Sequence, residues 1–411
     1  MGASKRKKIV ADYFNLLGIR RINDFEKAVN KTFGSEKAKS IIEKWDVLNP
    51  PQIDYGDTHV AGLHTEEPRS IDHTELYDFM NQNYSLSMIC CSVSETDIYV
   101  KTCNWINDNR YAFTGPILDI GCGTGIVTCF MATIFPEFKI TGIDRSKNSV
   151  AIANERKERL GLKNVTFIYD ELGNFDGDEF NTVFSSRTVH ENIGRKLTRY
   201  MYMPFNKQIK TFNELYSEYA EIISNRIADG GRLISIERFY SCGTDYYGFL
   251  KALNDNKLKV DFSFHRIIEA EESNYDLKSK FRITVAEKGK EWTENELFDH
   301  WSQIAFENTN DISQYTKPQI DYYIQENAGK VRFGYISYDT SPDAQAVRCV
   351  VYDLKNDQNH FLVHQENGSN SLLFIFENAD EPEAKSVFDN SKYQDMINGF
   401  TVVDIKPGSD Y

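Results

Sequence analysis

Ile117–Gly125 reads Ile-Leu-Asp-Ile-Gly-Cys-Gly-Thr-Gly, and this stretch decides the fold of the chain. An apolar run that contains an acid breaks into glycines at every second position, which is typical of a buried parallel strand followed by a tight turn and a helix. Glycine lets the backbone pass close to a ligand because no Cβ stands in the way. The first N–H groups of the next helix can bind a polar or anionic group. The stretch therefore predicts a turn that holds a nucleotide-like cofactor.

The spacing of the glycines bears on which of two classes of cofactor site is present. Gly121, Gly123 and Gly125 form a G-x-G-x-G pattern. The dinucleotide fingerprint G-x-G-x-x-G needs its last glycine where this chain has Ile126. Because the two patterns overlap, the spacing by itself leaves both classes open.

Two later strands also end in acids. Residues 139–144 read as a second strand that ends in Asp144, and residues 167–170 read as a third strand that ends in Asp170. Acids at the carboxyl ends of successive parallel strands face the crevice in which doubly wound sheets bind ligands. We therefore expect both carboxylates to lie beside the glycine turn.

These three motifs resemble the class I S-adenosylmethionine-dependent methyltransferases, over roughly residues 112–287. The resemblance implies an α/β fold with a Rossmann-like, seven-stranded, mostly parallel sheet that has helices on both faces, and S-adenosylmethionine as the cofactor. It implies that Asp119 leads the glycine motif, that Asp144 binds the ribose hydroxyls and that Asp170 lies near the adenine amino group. The cofactor-binding residues expected on this basis are Asp119, Gly121, Cys122, Gly123, Gly125, Asp144, Arg145, Asp170, Glu171 and Ser186.

The end of the fourth strand bears on the methyl acceptor, because in this family it faces both the methyl group and the acceptor. Val183–Glu191 contains no Pro-Pro-aromatic turn, as in enzymes that methylate base amino groups, and no Pro-Cys, as in enzymes that methylate base carbons. This favours a small-molecule or protein acceptor over a nucleic acid base.

Two residues in this segment are candidate catalytic bases. Histidine as a residue type titrates near neutral pH, which makes His190 a candidate, and Glu191 follows it directly. A general base is needed only if the acceptor stays protonated. The alternative is that His190 caps or packs the next helix.

Four residues are candidates for binding the acceptor. Arg187 suits a carboxylate, although a surface salt bridge is an equal alternative. Glu237 ends the fifth strand near the same crevice, and Tyr246 follows a glycine turn. Tyr202 belongs to an aromatic and methionine cluster, which suits a small-molecule pocket or an ordinary core patch.

Charge and cysteine content limit the partners and the compartment. The net charge is −14, and residues 291–411 carry 21 acidic and 8 basic side chains. This acidic portion argues against nucleic acid binding there, and it could attract a basic partner or form a solvated surface.

The cysteines and the lack of targeting segments bear on the compartment. The chain has seven cysteines without a C-x-x-C pair, no apolar run of membrane-spanning length and no signal peptide, which indicates a cytoplasmic protein. Three histidines between residues 59 and 73 lack ligand spacing, so we expect no metal site.

The chain divides by pattern into three predicted domains. Residues 1–109 read as a helical segment that closes over the site. Residues 110–290 alternate strands and helices, with the sixth strand at 260–267 and an antiparallel final pair. Residues 291–411 read as a helical stretch to 325 and then an α+β unit with one helix near 383–397, which would serve as a cap or a homodimer surface.

The sequence leaves several functions open. The first is methyl transfer to an oxygen or nitrogen nucleophile of a small molecule. A protein or peptide acceptor and an RNA acceptor are alternatives, and a non-catalytic scaffold that binds S-adenosylmethionine is a further one.

Overall fold

The computed structural model describes most of the chain, and all statements below concern these residues: 3–48, 73–189, 205–239, 244–272, 277–297, 300–301, 323–338, 347–367, 370–378, 381–397 and 399–408. The chain forms two compact units. The first comprises Met1–Lys196, Leu215–Arg238 and Ala252–Trp292, and the second comprises Leu197–Glu214, Phe239–Lys251 and Thr293–Tyr411. The boundaries predicted at 109/110 and 290/291 stay predictions.

Six α-helices precede the first strand in the part of the chain that the structure describes. They are α1 (Ala3–Leu17), α2 (Phe25–Phe33), α3 (Ser35–Leu48), α4 (His73–Met80), α5 (Tyr84–Ser94) and α6 (Thr96–Asp108). Side-chain caps fix two of their starts, because Asp24 accepts a hydrogen bond from the N–H of Lys27 and Asn83 accepts one from Leu86. Over the described residues 3–48 and 73–108, this agrees with the helical character predicted for residues 1–109. None of the helices in the described part of the chain has the length and apolar character that a membrane crossing requires.

The first unit is built on one large sheet. Its strands are β1 (Ile117–Ile120), β2 (Ile140–Asp144), β3 (Val165–Tyr169), β4 (Phe180–Ser186), β5 (Ile227–Glu237), β6 (Leu258–Val260), β7 (Arg266–Glu272) and β8 (Leu277–Lys288). Their order is β3-β2-β1-β4-β5-β8-β6, and β7 also pairs with β8. The first five are parallel and β8 runs antiparallel to β5. The strand order reverses between β1 and β4, which is the point where doubly wound sheets bind ligands.

The helices that follow the first strands are amphipathic or fully buried. They are α7 (Ile126–Ile134), α8 (Lys147–Leu160), α9 (Phe205–Arg226) and α10 (Thr244–Asp255). Helix α7 is apolar over nearly its whole length and belongs to the main hydrophobic core, together with residues from α1 and α6. The predicted α/β fold with a mostly parallel sheet is confirmed.

The single sixth strand predicted at 260–267 is wrong. Strand β6 ends at Val260, a short 3-10 turn covers Phe262–Phe264, and β7 then begins at Arg266. The side chain of Asp261 accepts hydrogen bonds from the N–H and the hydroxyl of Ser263. This local turn interrupts the ladder, so the predicted seven-stranded sheet has eight strands.

The second unit contains an antiparallel sheet. Its elements are β9 (Ala328–Tyr338), β10 (Val347–Leu354), β11 (His360–Asn367), β12 (Asn370–Glu377), α11 (Glu381–Ile397) and β13 (Thr401–Ile405), in strand order β12-β11-β10-β9-β13. Phe388 of α11 packs on the sheet against Phe333 and Tyr335. The predicted α+β unit with its helix near 383–397 is confirmed. Strand β13, which follows this helix, was not predicted. The helix predicted over 291–325 lies largely outside the described residues.

Candidate functional site

The glycine turn between β1 and α7 has a backbone that only glycine adopts easily. Gly121, Gly123 and Gly125 have φ values of 65°, 51° and 75°. A Cβ on Gly121 would lie 2.2 Å from Cγ2 of Thr188, and a Cβ on Gly125 would lie 2.9 Å from Cβ of Ala153. Two of the three glycines are therefore also required by close packing.

Gly123 differs from its two neighbours because its Cα faces open space. A Cβ at this position would meet no atom within 4 Å. The N–H of Gly125 donates to the carbonyl of Cys122, which closes the turn immediately before α7 begins at Ile126. The turn thus leaves room for a ligand beside Gly123 and next to the first N–H groups of a helix.

Asp144, at the tip of β2, is bonded to this turn. Its Oδ2 accepts a hydrogen bond of 2.8 Å from the N–H of Gly123, and its Oδ1 accepts one of 2.8 Å from Ser146. The N–H of Asp170, just after β3, donates to the carbonyl of Asp144. The glycine turn and the ends of the second and third strands are therefore adjacent, as the sequence predicted.

Asp119 and Cys122 are buried inside the turn. The carboxylate of Asp119 accepts a hydrogen bond of 2.5 Å from the hydroxyl of Thr128 on α7, and burial raises its pKa to about 7. Burial also raises the pKa of the Cys122 thiol well above its usual value, which keeps the thiol protonated. Both residues support the turn from within, and their roles as cofactor ligands stay predictions.

The remaining predicted cofactor residues differ in exposure. Arg145 and Glu171 are exposed directly after the acids of β2 and β3, and Ser186 is the half-buried last residue of β4. Their contacts to a cofactor stay predictions.

Arg187 follows β4 and is held by the N-terminal helices. It has a φ of 61°, a value that is uncommon outside glycine. Its Nη1 lies 2.6 Å from Oε1 of Glu95, and its guanidinium stacks 4.8 Å from the centroid of the Tyr99 ring. Tyr99 donates its hydroxyl proton to the other oxygen of Glu95. Burial raises the pKa of Glu95 and the Arg187 charge lowers it, with a net lowering that favours the ion pair.

Glu237 ends β5 and is fully buried next to the residues that follow β4. Oε1 accepts a hydrogen bond of 2.6 Å from the hydroxyl of Ser185, and Oε2 accepts one of 3.2 Å from the N–H of Val189. The hydroxyl of Tyr219 lies 3.1 Å from that of Ser185. Burial raises the pKa of Glu237 to about 7, although these hydrogen bonds lower it. Glu237 therefore fixes the backbone that leads to His190, and its predicted role as an acceptor ligand stays a prediction.

The structure describes only one of the four remaining predicted residues. His190, Glu191 and Tyr202 lie outside the described residues. Tyr246 is buried in the second unit, where its ring packs against Phe239. The catalytic and substrate-binding assignments of these four stay predictions.

The N-terminal helices contribute residues that the sequence reading did not identify. The hydroxyl of Tyr13 on α1 donates to the carbonyl of Ile126, where α7 begins. Asp78 on α4 accepts a hydrogen bond of 2.9 Å from the hydroxyl of Ser146, beside Asp144. No local motif marks such pairs, because their members lie 68 or more positions apart in sequence.

Comparison with known proteins agrees with this geometry. A family model described as a methyltransferase domain matches residues 114–329, slightly more than half of the chain. The release factor glutamine methyltransferase of Buchnera aphidicola is 27% identical over 182 residues, which cover 42% of this chain and 58% of that protein. The malonyl-[acyl-carrier protein] O-methyltransferase of Bacillus anthracis is 28% identical, over 33% of this chain and 53% of that protein.

A third relative acts on a different kind of molecule. The ribosomal RNA small subunit methyltransferase G of Oceanobacillus iheyensis is 31% identical, over 23% of this chain and 40% of that protein. The chain thus spans between two-fifths and three-fifths of the length of these curated relatives. The names of the three describe protein, acyl-carrier and RNA acceptors, so they agree on methyl transfer and differ in the acceptor. The chain belongs to the methyltransferase domain family, in the S-adenosylmethionine-dependent class whose glycine turn and strand-end acids it carries.

Proposed function

We propose that this protein transfers a methyl group from S-adenosylmethionine to an oxygen or nitrogen nucleophile of a small-molecule acceptor. The observation that supports this most directly is the bond between Asp144 and the N–H of Gly123 in the turn after β1, the strand next to which the strand order reverses. Open space beside Gly123 and a carboxylate at the adjoining strand end fit an adenosyl group with free ribose hydroxyls.

The cofactor supplies the reactive methyl carbon on a sulfonium, and the chain supplies position and surroundings. Holding an acceptor in line with that carbon gives much of the acceleration. In the proposed mechanism His190 accepts the proton of an acceptor that is still protonated, with Glu191 as the alternative base. The bond from Val189 to Glu237 supports this role, because it fixes the backbone immediately before His190.

Arg187 is proposed to bind an acidic group of the acceptor. Its Nη1 donates to Glu95, which orients the guanidinium. A guanidinium has five N–H donors, so one bond to Glu95 leaves other N–H groups to donate to an acidic acceptor. Tyr202, Glu237 and Tyr246 complete the proposed acceptor set. A small-molecule acceptor is favoured over a nucleic acid base because Val183–Glu191 lacks both base-methylation turns.

A protein or peptide acceptor is a second candidate. The acidic residues of 291–411 would attract a basic partner, with 21 acidic against 8 basic side chains. One relative, the release factor glutamine methyltransferase, carries a name that describes a protein acceptor.

Methyl transfer with labelled S-adenosylmethionine tests the proposal and separates the candidates. The panel comprises small carboxylic acids, phenols and amines, acyl-carrier protein thioesters, basic peptides and ribosomal RNA, with the Asp144→Ala variant as the matched control. Labelling of a small molecule by the wild type alone supports the first proposal, whereas labelling of basic peptides supports the second. Tight cofactor binding without labelling of any class would contradict both and favour a non-catalytic scaffold.

We also propose a cytoplasmic location and a homodimer through residues 291–411. The described cysteines all carry free thiols, as in a reducing compartment. Tyr393, Met396 and Ile397 are exposed at helical spacing on α11, which suits an apolar contact. Analytical sedimentation of the wild type and of the double variant Tyr393→Glu, Met396→Glu tests the dimer. We expect the mass of a dimer for the wild type and that of a monomer for the variant, and equal masses would contradict this contact.

A further inference from the structure

Helix α8 carries an arginine that is fully buried against the glycine turn. Arg156 exposes none of its surface. Its Nη1 donates to the carbonyl oxygen of Thr124 within the turn, and its Nη2 lies 3.3 Å from Sδ of Met88 on α5. Its guanidinium carbon lies 5.6 Å from the centroid of the Tyr84 ring. Nε is buried with no hydrogen-bond partner, and in the described part of the chain no carboxylate pairs with this guanidinium.

A buried guanidinium without a counter-charge costs free energy, because it has left water and no carboxylate compensates it. A methionine could fill most of the same space without that cost. The interactions that offset the cost are the Thr124 carbonyl, the Met88 sulfur and the Tyr84 ring. Of these, only the carbonyl of Thr124 belongs to the cofactor turn.

The bond to Thr124 acts on the Thr124–Gly125 peptide group, one of the two peptide groups between two glycines with positive φ. The N–H of this peptide, on Gly125, donates to the carbonyl of Cys122 at 2.9 Å, and its C=O accepts from Arg156. Both ends of the peptide plane are therefore fixed. Because a glycine backbone rotates easily, this restraint limits the conformations that Gly125 can adopt at the end of the turn.

We propose that Arg156 is a positioning residue of the cofactor turn, which holds the Thr124–Gly125 peptide in its binding orientation before S-adenosylmethionine arrives. This inference rests on the proposed function for the identity of the ligand. A turn that is ordered in advance binds more tightly, because less conformational entropy is lost on binding. The contact between Arg156 and Met88 also makes α5 part of the same support.

Calorimetric titration with S-adenosylhomocysteine tests the proposal on the full-length protein, with the melting temperature of each variant measured in parallel. Arg156→Met is expected to weaken binding by about tenfold or more, as for loss of a hydrogen bond made by a charged group. Arg156→Lys keeps the charge and most of the stem and is expected to weaken binding less. The matched control is Arg159→Met, since Arg159 stacks 3.9 Å over the same Tyr84 ring without contacting the turn.

A folded Arg156→Met protein with wild-type affinity would overturn the proposal and make Arg156 a purely structural residue. If that variant does not fold, Arg156→Lys decides: weaker binding supports the proposal, and a lowered melting temperature with unchanged affinity overturns it. A wild-type protein that binds no S-adenosylhomocysteine would instead contradict the proposed function, and this inference would fall with it.

Discussion

The carboxylate of Asp144 accepts a hydrogen bond from the backbone N–H of Gly123, with 2.8 Å between Oδ2 and N. This bond joins the end of β2 to the turn that leaves β1. The other carboxylate oxygen bonds the N–H of Ser146, so Asp144 fixes both the turn and the start of α8. A carboxylate at this strand end can accept a hydrogen bond from a ribose hydroxyl.

Alanine substitutions at the glycines of the turn should affect cofactor binding and the free energy of unfolding to different degrees. Gly123→Ala is expected to cost about 1–2 kcal/mol of unfolding free energy, because its φ is positive, and to weaken cofactor binding strongly, because the methyl group enters the open space. Gly121→Ala should cost more stability, since its Cβ would lie 2.2 Å from Thr188. Calorimetry and thermal unfolding measure both effects.

Gly173→Ala is the control for this series, because Gly173 has open surroundings and no positive φ. It should change neither quantity appreciably. Wild-type cofactor affinity in Gly123→Ala would mean that the ligand does not approach this face of the turn.

The buried carboxyl of Glu237 should make stability depend on pH. Its pKa is about 7 in the folded protein against 4.5 for the free side chain, so the folded state binds the proton more tightly. The stability it contributes is fully present below pH 4.5 and is lost as pH rises through 7, by up to about 3 kcal/mol. Glu237→Gln keeps the size of the side chain and removes the titrating group, so it should flatten this dependence.

Chemical denaturation between pH 5 and pH 8 measures the effect. Asp119, whose pKa is also raised to about 7, contributes with the same sign, and Asp119→Asn should remove its share. The exposed Glu171→Gln serves as the control. A pH dependence of the unfolding free energy that is equal in the wild type and in Glu237→Gln would contradict the assignment.

The pair of Glu95 and Arg187 should couple more strongly than a surface pair. A double-mutant cycle with Glu95→Gln and Arg187→Met is expected to give a coupling energy of about 1–3 kcal/mol, because both side chains are half-buried. The exposed pair of Glu155 and Arg159 has the same 2.6 Å separation and should give about 0.5 kcal/mol or less. Equal coupling in the two cycles would show that burial adds nothing at the end of β4.

Residues after β4 should affect turnover and leave cofactor binding unchanged. With an acceptor identified by the labelling assay, His190→Ala is expected to lower kcat by about 10²–10⁴-fold if the acceptor is protonated, and Glu191→Gln tests the alternative base. Single-turnover kinetics measure the chemical step. An unchanged kcat in both variants would remove the general base from the proposed mechanism.

The sequence predicted those parts of the site that depend on local pattern. The glycine turn, Asp144 and Asp170 follow from strand ends and from glycine chemistry, and the structure brings them together. The split of the sixth strand was missed because the side chain of Asp261 forms a turn that periodicity does not reveal.

The supports of the site could not be predicted, because they join distant positions in the chain. Arg156 reads as one more charged residue of an amphipathic helix, and only the fold buries it beside Thr124. Glu95 meets Arg187 across 92 positions, and Asp78 meets Ser146 across 68. Neither periodicity nor spacing records such tertiary contacts.

Calorimetric titration of S-adenosylhomocysteine into the wild type and into Asp144→Ala tests the central claim most directly, with the exposed Asp178→Ala as the control. We expect the wild type and Asp178→Ala to bind with equal affinity. Asp144→Ala should bind at least about tenfold more weakly while remaining folded, as for loss of hydrogen bonds to a charged group. The absence of binding by the wild type at millimolar ligand, or equal affinity in Asp144→Ala, would contradict the account.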